Sequence, residues 1–195
     1  MPFITINEII DIIIMTLFVG YIFSGYMSRY KPQTEDPLVS LQKQKSFMGV
    51  SVEDLKFTTL VTAPAIILHE FAHKLTAIAF GFQASFNAAY FWLILGVALK
   101  LFGASFFFFI PAYASILGNP PPLQSALIAV AGPLTNAVLW LLASQALKKQ
   151  VFSKKYNAAL YLTSKVNMFL FIFNMLPFFF FDGFKFFQGI FHAFF

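Results

Sequence analysis

Residues 57–80 read F-T-T-L-V-T-A-P-A-I-I-L-H-E-F-A-H-K-L-T-A-I-A-F, and this stretch decides what kind of molecule the chain makes. As a helix it is long enough to cross the ~30 Å apolar layer of a bilayer. Its second half carries His69, Glu70 and His73. Ionisable groups are costly at that depth, so inside a span they are functional candidates by default. The pattern is H-E-x-x-H. On a helix, residues four apart share a face, with Cβ atoms about 5–6 Å apart. Both imidazoles then reach one tetrahedral Zn²⁺ at roughly 2.0–2.1 Å. Glu70, beside the first ligand, is placed to take a proton from a zinc-bound water. Pro64 lies in the first half, where a missing N–H tends to kink a helix. Gly81 closes the stretch as a C′ residue.

Composition supports a membrane setting. Of the 195 residues, 59% are hydrophobic and 11% are charged, and the mean hydropathy is +0.76. A soluble domain carries about 25% charged residues. The 29 phenylalanines suit contact with hydrocarbon, because the ring holds no polar group. The absence of cysteine excludes disulfides and thiolate metal sites. Any metal must be held by His, Asp, Glu or other N and O donors. The net charge of +5 is concentrated in loops, which points to topology and lipid headgroups as partners and not to nucleic acid.

The expected fold is an all-α polytopic membrane protein of about five transmembrane helices, in a single membrane-embedded domain over residues 1–195. Residues 3–27 form the first span, retained because no basic n-region or cleavage site marks a signal peptide. Glu8 and Asp11, near its start, are expected at the interface, where carboxylates reach water; the functional alternative is a polar contact into the site. Residues 28–56 are a polar linker. Near its end, Ser51-Val52-Glu53-Asp54 resembles a helix start, with Ser51 as N-cap. Residues 88–102 are a short apolar segment at the low limit for a span. Residues 104–118 are aromatic-rich and contain Pro111, which fits a membrane-embedded strand or re-entrant segment better than a helix. Such a strand is tolerated only where it is buried in protein or lines a cavity, and its edge could receive an unwound substrate by β-addition. Residues 123–147 make a clear span, interrupted by Ala131-Gly132-Pro133-Leu134-Thr135-Asn136. Asn136 brings a two-way amide into the layer, which serves either the site or helix–helix contact. The last span is expected over residues 157–181, with 184–195 as an apolar tail in which His192 is interfacial. Asp182 follows four phenylalanines. At a helix end facing water it is unremarkable; opposite two intramembrane histidines it completes a three-ligand zinc site with one position open.

Three patterns occur in order: H-E-x-x-H at His69–His73, G-P-x-x-N at Gly132–Asn136, and N-x-x-P-x-x-x-x-D-G at Asn174–Gly183. Together they resemble the site-2 protease family of intramembrane zinc metallopeptidases, over residues 57–183, the expected catalytic core. The resemblance implies one zinc per chain, held by His69, His73 and Asp182, with Glu70 as general base. It implies that Asn174 and Asn136 hold the substrate backbone or its developing oxyanion, and that the substrate is a transmembrane segment of another membrane protein. The loop 148–156 is too short for the PDZ insertion that many members carry.

Two other classes use similar residues. Intramembrane His, Glu and Asp build proton or metal-ion relays, and a zinc-binding scaffold without turnover would hold the same ligands. The intact Glu70 argues against the scaffold. The basic loops place their face in the cytoplasm by the positive-inside rule, whereas the resemblance places the opposite face there. The expected location is the cell membrane; oligomeric state is not legible in the chain.

Overall fold

The computed structural model describes residues 3–27, 30, 46–47, 50–103 and 110–195. Most of the 28–56 linker and residues 104–109 therefore lie outside the described residues. The chain is mostly helical. Helix α1 (Ile6–Met27) is followed by the two-residue strands β1 (Ser46–Phe47) and β2 (Val50–Ser51), which pair with each other. Then come α2 (Val52–Ala79), β3 (Gln83–Ala88), α3 (Tyr90–Leu101) and β4 (Ala112–Leu117). The chain ends with α4 (Pro122–Lys148), a 3-10 turn at Lys154–Tyr156, α5 (Asn157–Asn174) and α6 (Asp182–Phe194).

Two helices, α1 and α4, are long and apolar enough to cross a membrane. On α1 the residues Ile6, Ile9, Ile10, Ile13 and Leu17 recur at helical spacing and are exposed. The opposite side buries Met15, Val19 and Ile22 against Ile66 of α2, Phe86 and Ala88 of β3, Leu93 of α3 and Ala112 of β4. A helix apolar on both sides is suited to a buried or lipid-facing position, not to water. A second small core joins Met27, Val61 and Leu162.

Helix α2 starts at Val52, earlier than the apolar run, because Ser51 caps it and accepts a hydrogen bond from Asp54 N at 3.0 Å. It continues through Pro64 for 28 residues, about 42 Å. Helix α3 has 12 residues, a rise of about 18 Å, which falls short of the ~30 Å layer. The segment 88–102 is therefore not a span by itself.

Within residues 104–118, a strand forms over Ala112–Leu117. Its partner, β3, was not expected. The two run antiparallel, with Ala88 opposite Ala112, Phe86 opposite Ala114 and Ala84 opposite Ile116.

Four further expectations are corrected. The last long helix ends at Asn174 and not at 181. Pro177 has no N–H and disfavours helical geometry at Leu176, so residues 175–181 turn instead. The expected tail 184–195 belongs to a helix over Asp182–Phe194, which places Asp182 at a helix start. Helix α4 runs unbroken through Gly132 and Pro133. Finally, Glu8 does not reach water. It is 3% exposed and paired with Lys74, itself 2% exposed. His192 is exposed.

Candidate metal centre

Helix α2 presents His69 and His73 one turn apart, both buried, with ring centroids 4.7 Å apart. Each ring is oriented from behind by α4. His69 Nδ1 lies 2.5 Å from Asn136 Oδ1, and His73 Nδ1 lies 2.7 Å from the Ile128 carbonyl. The Ile128 carbonyl can only accept, so His73 donates from Nδ1, and in the neutral ring its Nε2 carries the lone pair. Asn136 is fully buried, and its Nδ2 donates to Ala65 O at 3.1 Å and to Asn167 Oδ1 at 2.8 Å. With the amide nitrogen so engaged, the oxygen faces His69, which sets the same tautomer there. Asn167 is held in turn by donating to Thr163 O at 2.8 Å. The chain of amides thus runs from α5 through α4 to the first histidine.

The two Nε2 atoms point at each other at 3.1 Å. Asp182 Oδ2 sits 3.0 Å from His69 Nε2 and 3.2 Å from His73 Nε2. Three acceptor atoms thus converge in one small triangle. In a tetrahedral zinc site with bonds of about 2.0–2.1 Å, ligand atoms stand roughly 3.3–3.4 Å apart. The edges observed are close to that. Without a cation, or protons shared among them, three lone pairs at this range repel. The donor set fits zinc, and the hydrogen bonds at both Nδ1 atoms are the outer partners that zinc-binding histidines use. Among the described residues, His69, His73 and Asp182 form the group able to hold a metal.

Gly132 explains the G-P part of the second pattern. A Cβ there would meet the His73 ring and come within 2.6 Å of His69 Nε2. Only a residue without a side chain lets α4 pass this close to both imidazoles. Gly183 does the same for α6. A Cβ there would meet the Met175 carbonyl and stand 2.7 Å from that of Leu176. The turn after α5 therefore packs tightly under the start of α6 and delivers Asp182 to the histidines.

A cavity of about 1450 Å³ opens beside the triangle, and His69, Glu70, His73, Asn174 and Asp182 all line it. Glu70 is half-buried and faces the Ala114 N–H of β4. Asn174, the last residue of α5, has no side-chain hydrogen bond among the described residues and borders the same space. The expected substrate role of Asn136 does not fit its position. Both its amide hydrogens and its oxygen are already engaged away from the opening, so it positions His69.

Sequence reasoning missed Asn167, the Ile128 carbonyl, and the pairing of Glu8 with Lys74. The first had a signal: Asn167 is a second amide buried in an apolar helix, which demands a partner. Glu8 also had one. Thr5-Ile6-Asn7-Glu8 is a capping box, in which Thr5 N donates to Glu8 Oε2 at 2.8 Å and Glu8 N to Thr5 Oγ1 at 3.3 Å.

No family model matches the chain, and no solved structure matches it. A protein of Methanocaldococcus jannaschii, provisionally named a zinc metalloprotease, is 31% identical over 183 residues. The match covers 91% of this chain and 81% of the archaeal protein. By that similarity, the chain belongs to the same zinc metalloprotease family as the archaeal protein.

Proposed function

We propose that this chain is a site-2-protease-like intramembrane endopeptidase, which hydrolyses peptide bonds within or near transmembrane segments of other membrane proteins. One zinc per chain would be held by His69, His73 and Asp182. The observation that carries this reading is the triangle of two Nε2 atoms and one carboxylate oxygen at 3.0–3.2 Å, with Glu70 beside it on the wall of a large cavity. The polytopic membrane location is part of the proposal. It is supported by α1 and α4, and by the 28-residue α2 and 18-residue α5, which rise about 42 and 27 Å.

Zinc, when bound, polarises the scissile carbonyl and lowers the pKa of water toward about 7. Glu70 accepts the proton of the attacking water and returns it to the departing amine nitrogen. Asn174 donates its amide to the carbonyl oxygen as negative charge develops there, a contribution of about 3–4 kcal/mol where such donors are well placed. Asn136 and the Ile128 carbonyl keep both imidazoles turned to the centre. A helical substrate hides its carbonyls in its own hydrogen bonds, so it must unwind before attack.

The β4 edge offers the unwound segment a partner. Phe86 N and Ala88 N point away from β4, as their bonds to Glu8 and Asp11 demonstrate. In an antiparallel pair, their opposite residues Ala114 and Ala112 then direct their own backbone groups away from β3. Those residues line the cavity. An extended substrate laid on that edge runs past Glu70.

The test is cleavage of a tagged single-span substrate by purified protein in detergent, with product masses locating the cut. Cleavage within the span, lost in Glu70→Gln, is the expected result. A cut that survives Glu70→Gln would remove Glu70 from the mechanism. Absence of any cut across a panel of single-span substrates would remove the peptidase reading.

A further inference from the structure

The outer edge of the β3–β4 pair is closed by carboxylates. Glu8 Oε1 accepts from Phe86 N at 2.7 Å and from Lys74 Nζ, while its Oε2 accepts from Thr5 N and from Thr5 Oγ1 at 3.1 Å. Every acceptor position that matters on this buried group is filled. One turn along α1, Asp11 Oδ2 accepts from Ala88 N at 3.2 Å, and its other oxygen accepts from the Tyr90 hydroxyl. Glu8 and Asp11 are three apart on a helix; Phe86 and Ala88 are two apart on a strand. Both spacings bring successive groups onto one side, so the helix face matches the strand edge.

The clamp has a third member. Lys74 follows His73 directly on α2, and its ammonium is buried among Glu8, Phe71 and Phe3, with both rings 5.7 Å away. A buried charge is kept only where it is paired. The result ties three elements at one point: α1 through Glu8, α2 through Lys74, and β3 through Phe86. The β3–β4 pair cannot slide along α2 without breaking that point. Since β4 faces Glu70 at Ala114, the clamp sets the distance between the open strand edge and the metal triangle.

We propose that Glu8, Asp11 and Lys74 act as a ruler that fixes which peptide bond of a bound strand reaches the metal centre. They are specificity-determining positioning residues, and none of them touches substrate. With Phe86 N and Ala88 N occupied, β4 is, among the described residues, the edge of this pair that lines the cavity, and a strand laid on it would take the Ala114 N–H from Glu70. This inference rests on the peptidase reading and on strand binding at β4. Along a strand, carbonyls facing one side recur every second residue. A loosened pair therefore presents neighbouring bonds in steps of about two residues.

The experiment is mass-spectrometric mapping of the products from one single-span substrate, for the wild type, Asp11→Ala, Asp11→Asn and the double variant Glu8→Ala with Lys74→Met. The double variant removes the buried charges together, so no lone charge is left behind. Asp11→Ala carries the test by itself if the double variant does not fold, since the partners of Asp11 among the described residues, Ala88 N and the Tyr90 hydroxyl, are neutral. The wild type is expected to give one dominant cut. Asp11→Ala and the double variant are expected to add cuts displaced by about two residues, with zinc content unchanged. Asp11→Asn, which keeps an acceptor oxygen for Ala88 N, is expected to restore the single cut. A clamp that only supported folding would lower the yield of product without moving the cut. Unmoved cuts in both altered enzymes would overturn the ruler and leave the peptidase standing, whereas a wild type that cuts nothing would overturn both.

Discussion

Two buried polar clusters sit back to back on α2, and they differ in one respect that separates chemistry from architecture. At Lys74, every charged or polar group finds its complement inside the protein: the ammonium meets Glu8, and the Glu8 oxygens meet Thr5 and Phe86 N. At His69 and His73, one residue away, the outward nitrogens and an Asp182 oxygen face one another, and with neutral rings all three are acceptors. The first cluster is self-sufficient and sealed. The second is balanced only by a cation or by shared protons, and it opens onto a cavity. A buried charge pair is thus weak evidence for function, whereas converging unmatched acceptors are strong evidence for a ligand.

That contrast can be broken most sharply at Glu70. Glu70→Gln should lower the cleavage rate by about 10²–10⁴-fold, the range for loss of a general base, while zinc stays bound. A variant that kept most of its rate would put Glu70 with the sealed cluster. Next in size is Lys74→Met alone. It leaves the Glu8 carboxylate buried without its counter-charge, which should cost about 3–5 kcal/mol of stability. Thermal unfolding in detergent would detect it, and adding Glu8→Gln should recover most of the loss. If the single variant is as stable as the double, the two side chains do not depend on each other.

Smaller effects separate the ligands from what orients them. Asn136→Ala removes the acceptor behind His69 and should weaken zinc binding about 10–100-fold, measured by competition with a chelator. Gly132→Ala pushes a methyl group onto both imidazoles and should act in the same direction, with the helices still folded. Asn167→Ala, one step further out, should cost less than Asn136→Ala. Equal losses at Asn136 and Asn167 would mean that the amides act as one unit.

Much of the candidate metal centre was legible before the fold was known, because two of the three residues that could hold a metal are local. His69 and His73 share a face through helix geometry alone, and Glu70 comes with them. Asp182 was legible as a lone carboxylate after an apolar run, but not as the first residue of α6. That depends on the turn forced by Pro177 and on the space left by Gly183. Half of the strand pair could be read. The 112–117 segment fits no helix well, whereas Gln83-Ala84-Ser85-Phe86-Asn87-Ala88 shows no strong strand preference and becomes a strand through its partner across the fold. Glu8 was misread for the same reason. Its partner Lys74 lies far along the chain, and a carboxylate near the start of an apolar helix belongs in water unless such a partner exists. Asn136 was noticed as an amide, but nothing local ties it to His69.

The most direct test of the central claim is the zinc content of purified wild-type protein, set beside Glu70→Gln and Asp182→Ala. The account predicts one zinc per chain in the wild type and in Glu70→Gln, and its loss or marked weakening in Asp182→Ala. A wild type that holds no zinc after purification without chelators, or an Asp182→Ala variant that binds it as tightly as the wild type, would contradict it.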